Sequence, residues 1–147
     1  MTARKDPNLL SERDFQRTLV STLEILGYTV NHVRPVMVQA RGVKRWVTPT
    51  TSKGWPDLVA INARTHRLVA IECKADRTAA KVSDEQWNWL GRFHSVPGCV
   101  ALVLRPADDW NLIVQWLRSP DTAPSGYGWL HFDPGRSGPR AAAASVD

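Results

Sequence analysis

Two apolar runs, "DLVAINA" (57–63) and "LVAIECK" (68–74), are separated only by "RTHR". Short runs rich in Val, Ile and Ala with so brief a gap read as two strands of a hairpin. Each run meets charge at one end. Asp57 opens the first, and Glu72 and Lys74 close the second. Charged side chains are seldom buried unless they are paired or bind metal. A hairpin brings these charged ends together, so the fold must accommodate two acids and a lysine at the margin of its core.

A turn centred between Thr65 and His66 sets Asp57 opposite Lys74 and Val59 opposite Glu72. Side chains alternate along a strand, and opposed residues share a face. Asp57, Glu72 and Lys74 then lie on one side, with Asp57 and Glu72 diagonal at roughly 7–8 Å. A slip of one residue would undo this. Two carboxylates this close raise each other's pKa unless a cation lies between them. Lys74 supplies one positive charge, and a hard divalent ion, Mg²⁺ or Mn²⁺, would supply the rest. Pro56 fixes the approach to Asp57. A simple ion pair between Asp57 and Lys74, with Glu72 solvated, is the other reading.

The surrounding pattern is that of a mixed sheet with helices on it. Phe15, Leu19, Leu23 and Leu26 recur at helical spacing behind Ser11, an N-cap, and Gly27 is a stop. "YTVNHVRPVMVQARGVKRWVT" reads as strands joined by a turn at Arg41-Gly42, a projecting hairpin. "VSDEQWNWLGRFH" carries a capping box, Ser83 with Gln86, and an apolar face of Trp87, Leu90 and Phe93. "CVALVLR" is a buried strand and "DDWNLIVQWLR" a short helix. "GYGWLHF" could add one strand. The expectation is an α/β fold in a single domain over 1–133, with a disordered tail over 134–147.

Composition narrows the function classes. The 147 residues suffice for one domain with a real core. No apolar run approaches the ~20 residues of a membrane helix, and the N-terminus lacks a signal-peptide core. A protein that is not exported is expected, with Cys73 and Cys99 as free thiols. The net charge of +5 favours polyanionic partners. Of seven tryptophans, Trp46 sits among basic residues in "RGVKRW", a mixture suited to phosphates and stacked bases. His32, His66, His94 and His131 show no metal-site spacing and read as structural or surface residues.

Asp57, then Glu72-Cys73-Lys74 behind an apolar strand, resembles the PD-(D/E)XK nuclease superfamily. "KGWPDLVAI…RLVAIECKAD…VSDEQWNWL" is similar to its VRR-NUC branch in particular, over roughly residues 11–105. The resemblance implies a restriction-endonuclease-like fold and a Mg²⁺- or Mn²⁺-dependent endonuclease similar to Holliday-junction resolvases. It implies catalytic roles for Asp57, Glu72, Lys74 and Gln86. Metal ligands would be Asp57, Glu72, the backbone carbonyl of Cys73, and Glu12 on the first helix. Lys74 would orient or activate the attacking water. Two roles stay open: Glu12 could simply favour a helix N-terminus, and Gln86 could be only a capping-box residue. A homodimer, branched DNA as partner and a bacterial or phage-encoded cytoplasmic setting are further implications.

Arg34, Arg41, Lys44, Arg45 and Lys53 lie between the first helix and Asp57, where a projecting hairpin could follow a phosphate backbone. Three rival readings stand beside the junction-selective endonuclease. They are a nicking or single-strand nuclease without junction preference, a DNA-binding module without catalysis, and a structural or protein-binding domain.

Overall fold

The computed structural model describes residues 10–48, 52–76 and 81–118. Their elements run α1 (Glu12–Ile25), β1 (Thr29–His32), β2 (Val36–Ala40), β3 (Val43–Val47), β4 (Leu58–Asn62), β5 (Arg67–Cys73), α2 (Asp84–His94), β6 (Cys99–Leu104) and α3 (Trp110–Arg118). Four strands form a mixed sheet in the order β1-β4-β5-β6, and β2-β3 form a separate two-stranded sheet. Only β5 and β6 are parallel, and α2 is the crossover that such a pair requires. The possible strand at "GYGWLHF" and the tail over 134–147 lie outside the described residues.

Local chemistry sets the helix ends. The Ser11 hydroxyl accepts from the Asp14 backbone N–H at the start of α1. At its end the Gly27 N–H donates to the Glu24 carbonyl and the Tyr28 N–H to the Leu23 carbonyl, a Schellman motif with Gly27 at φ +92°. Ser83 and Gln86 form the reciprocal capping box of α2.

The sheet is covered on both sides. Phe15, Leu19 and Leu23 of α1 and Ile113, Trp116 and Leu117 of α3 pack with Leu58, Val69, Ile71 and Leu104. Trp87 and Leu90 of α2 pack with Ala70, Ala101 and Val103 on the other face. Strand β5 is therefore buried nearly throughout, which is why its central residues 68–71 form a continuous apolar run rather than an alternating one.

The segment from Tyr28 to Thr48 forms strands joined by a turn at Arg41-Gly42, as expected, but β1 leaves the hairpin to pair with β4. The hairpin that remains, β2-β3, turns on Arg41 and Gly42, both at positive φ, as a two-residue type I′ turn requires. The β4-β5 register differs by two residues from the one expected. Leu58 pairs with Ile71 and Asn62 with Arg67, so the turn is centred between Arg64 and Thr65. The cause is Asn62, whose side-chain oxygen accepts from the N–H groups of Arg64 and Thr65 and starts the turn early. Arg67 consequently belongs to β5, where it is buried with its guanidinium 4.8 Å from the Trp116 ring centroid. A two-residue shift preserves the face of every side chain. Continued by one residue, the register sets Asp57 opposite Glu72 instead of Lys74.

Candidate active site

The charged residues collect where β4 begins and β5 ends. Asp57 immediately precedes β4, and its Oδ2 accepts from the Cys73 N–H at 2.8 Å. Its carbonyl takes the Val33 N–H at 3.0 Å. The carboxylate is thus oriented from β5 while its backbone is tied to the chain leaving β1.

Glu72 is 1% exposed, an extreme value for a carboxylate. Its Oε1 receives the Lys74 ammonium at 2.9 Å and a hydrogen bond from the Gln86 side-chain amide. Its Oε2 is buried without a hydrogen-bond partner. Burial, reinforced by the Asp57 charge, pushes its pKa up to about 8, outweighing Lys74. Burial likewise lifts Asp57 to about 6 against the Cys73 N–H and Lys74, which act the other way. Glu12, in the first turn of α1, reaches across to accept from the Ala75 N–H at 3.0 Å.

Gln86 both caps α2 and contacts Glu72. Its Oε1 accepts from the Ser83 N–H at 2.8 Å, which leaves its Nε2 to donate to Glu72. The capping box therefore orients the amide toward the acid. The start of α2 is itself pressed onto the loop that delivers Asp57. A Cβ on Gly54 would lie 2.5 Å from the Glu85 carbonyl carbon and 2.7 Å from the Gln86 nitrogen, and Gly54 adopts φ +85°. Only glycine allows this approach. The Trp55 ring packs edge-on against Trp89 and Phe93, and the Trp89 indole N–H donates to the Lys53 carbonyl. These contacts fasten residues 53–57 to α2.

The donor set suits a hard cation. Glu72 presents a buried carboxylate and Asp57 a half-buried one, and the Cys73 carbonyl adjoins Glu72 in sequence. The Cys73 thiol lies in the core, with burial raising its pKa well above the ordinary value. Among the described residues no three His, Cys, Asp or Glu side chains converge to hold a metal. Mg²⁺, which keeps several waters and uses one or two carboxylates, does not need three.

The expected DNA-binding residues are spread more widely. Arg41, Lys44 and Arg45 are exposed on the β2-β3 hairpin, with Lys44 and Arg45 on opposite faces as adjacent strand residues must be. Lys53 lies 2.6 Å from Glu85. Arg34 donates from Nε to His32 Nδ1 at 3.0 Å, and His32 Nε2 is 2.9 Å from Gln16 Oε1. Neither His32 nor Gln16 stood out in the sequence. The available signal was the polar stripe of α1, Arg13, Gln16 and Arg17, at helical spacing opposite Phe15 and Leu19.

No helix among the described residues is long and apolar enough to cross a membrane. Comparison with curated proteins gives no match, and neither does comparison with solved structures. A family model described as "VRR-NUC domain" matches residues 13–105, a span that holds Asp57, Glu72, Lys74 and Gln86. With most of the chain matched, and with a mixed sheet flanked by helices carrying the acids at the ends of its two central strands, the chain belongs to the VRR-NUC domain family, a nuclease-type DNA-processing family.

Proposed function

We propose that the domain is a divalent-metal-dependent endodeoxyribonuclease that cuts branched DNA by attack of water, without a covalent intermediate. The observation that supports this most is Glu72. A carboxylate 1% exposed, one oxygen paired with Lys74 and Gln86, lies beside the half-buried Asp57 at the ends of the two central strands, and the Asp57 charge adds to the burial that raises its pKa. A stability-driven fold has no use for such a pair. Asp57, Glu72 and the Cys73 carbonyl would hold Mg²⁺ or Mn²⁺, with Glu12 beside them. When bound, such an ion polarises the phosphate and lowers the pKa of a water.

The remaining work falls to the protein. Lys74 places a compact positive charge where the attacking water and the phosphorane-like transition state develop negative charge. Gln86, held by Ser83, keeps the Glu72 carboxylate from rotating. Asp57 is fixed by the Cys73 N–H. A symmetric junction needs two cuts, so two copies of the chain acting as a homodimer fit that substrate.

A panel of four-way junction, linear duplex and single-stranded DNA at one salt concentration tests the reading. Faster cleavage of the junction is expected. Equal rates on all three would replace junction selectivity with a general nickase or single-strand nuclease.

The hairpin should contribute through phosphates. Replacing Lys44 and Arg45 together with alanine should weaken DNA binding and reduce the slope of log affinity against log salt by about 2, at ~0.9 for each phosphate no longer neutralised. An unchanged slope would take both residues out of the interface.

A further inference from the structure

A cleft of about 430 Å³ opens between α1 and the β2-β3 hairpin. Its size falls within the roughly 300–1,000 Å³ of small-ligand sites. Glu12 and Asp57 belong to its walls, so it opens directly onto the candidate active site. On the hairpin side stands Trp46, 68% exposed. The hydrophobic core makes no use of this indole, and an exposed one is costly in water. On the helix side Arg13 and Arg17 lie one turn apart. Arg17 also approaches the exposed Asp14 at 3.8 Å, a weak contact.

Arg34 completes the lining in a fixed pose. A guanidinium only donates, so His32 Nδ1 must accept from Arg34 Nε. The ring proton then resides on Nε2 and is donated to Gln16 Oε1. The side-chain chain from α1 through β1 holds Arg34 at the cleft with a neutral histidine between. No other hydrogen bond engages the guanidinium among the described residues.

We propose that this cleft takes one unpaired nucleotide beside the scissile phosphate, its base stacked on Trp46 and its phosphates among Arg13, Arg17 and Arg34. The proposal rests on the nuclease reading and narrows it, to DNA that has an unstacked base at the point of cleavage. A base inside a duplex has both faces covered by its neighbours, whereas an unpaired base offers a free π-face to an indole. Arginines on both walls supply the complementary charge.

The test is binding in EDTA, where no cleavage intervenes. Two DNAs carry 2-aminopurine at one position, unpaired at a branch point in one and fully paired in the other. The wild type should bind the unpaired DNA more tightly and quench its fluorescence. Trp46→Ala should bind that DNA about 5- to 150-fold more weakly, the range that stacking one base contributes, and lose the quench. Its affinity for the paired DNA should not change, and Trp46→Phe should retain most of the binding. Equal affinity of the wild type for both DNAs, or equal losses on both in Trp46→Ala, would overturn the proposal. Selective binding through Trp46 by a protein that cleaves nothing would instead overturn the nuclease reading and leave the cleft assignment standing.

Discussion

Glu72→Gln should slow DNA cleavage by about 10²- to 10³-fold, the cost of losing one charge-stabilising group in an active site. The same change should raise the melting temperature of the metal-free protein near pH 8. Both effects come from one cause. The folded protein holds Glu72 at about 8 and Asp57 at about 6, against ordinary values of 4.5 and 3.8. Between about pH 4 and pH 8 the folded state binds more protons than the unfolded state, so stability falls as pH rises through that window. The stabilising contribution is complete below the unfolded pKa values and is lost as the folded ones are passed. An amide at position 72 does not ionise and removes the larger part of this slope. Melts of wild type and Glu72→Gln from about pH 5 to pH 8 in EDTA should converge at the acid end and separate at the alkaline end. Asp57→Asn should separate in the same direction by less. Added Mg²⁺ should restore the wild type at pH 8, because binding draws on the ionised carboxylates. Parallel melting curves across the range would refute the buried-acid account.

Gly54→Ala should destabilise the fold and disable the site together. The new Cβ would meet backbone atoms of Glu85 and Gln86, which cannot swing away as a side-chain tip can. A left-handed conformation costs an L-residue about 1–2 kcal/mol, and overpacking adds about 1–3 kcal/mol. The sum of about 2–5 kcal/mol is a large part of the ~5–15 kcal/mol that holds a typical domain. A drop in melting temperature of roughly 5–20 °C follows. Partial relief is available only by moving the start of α2, which draws Gln86 off Glu72, so cleavage should fall even well below the melting point. Gly42→Ala is the control. Gly42 also has positive φ, at +76°, but nothing lies within 4 Å of its added Cβ. It should lose only the strain energy and keep its activity. A Gly54→Ala protein that melts and cleaves like wild type would show that the close approach of this loop to α2 is dispensable.

Much of this architecture is legible in the sequence because its determinants are local. Ser11, Ser83 with Gln86, and Gly27 mark helix ends through bonds spanning a few residues. Arg41-Gly42 marks a two-residue hairpin through its backbone geometry alone. The β4-β5 turn is also local, yet it misleads. "RTHR" offers polar residues at every position, and the decision belongs to the Asn62 side chain one step earlier and to the burial of Arg67 against Trp116. The face of Asp57 and Glu72 survives because the displacement is an even number of residues. What the sequence does not display is tertiary. Nothing in "KGWPD" announces that Gly54 abuts the backbone of a helix some thirty residues on. Nor does spacing show that one glutamine both caps a helix and grips an acid, or that Gln16, His32 and Arg34 join into one chain of hydrogen bonds.

The most direct measurement is scission of supercoiled plasmid by wild type and Lys74→Ala, each with Mg²⁺, Mn²⁺ or EDTA. Lys74 contacts Glu72 at the centre of the cluster and carries no part of the hydrophobic core. Cleavage by the wild type with either metal, absent in EDTA and reduced at least about 10²-fold in Lys74→Ala while DNA binding persists, is the predicted result. Cleavage that continues in EDTA, or that proceeds at an undiminished rate in Lys74→Ala, would contradict the assignment of these residues as a metal-dependent nuclease site.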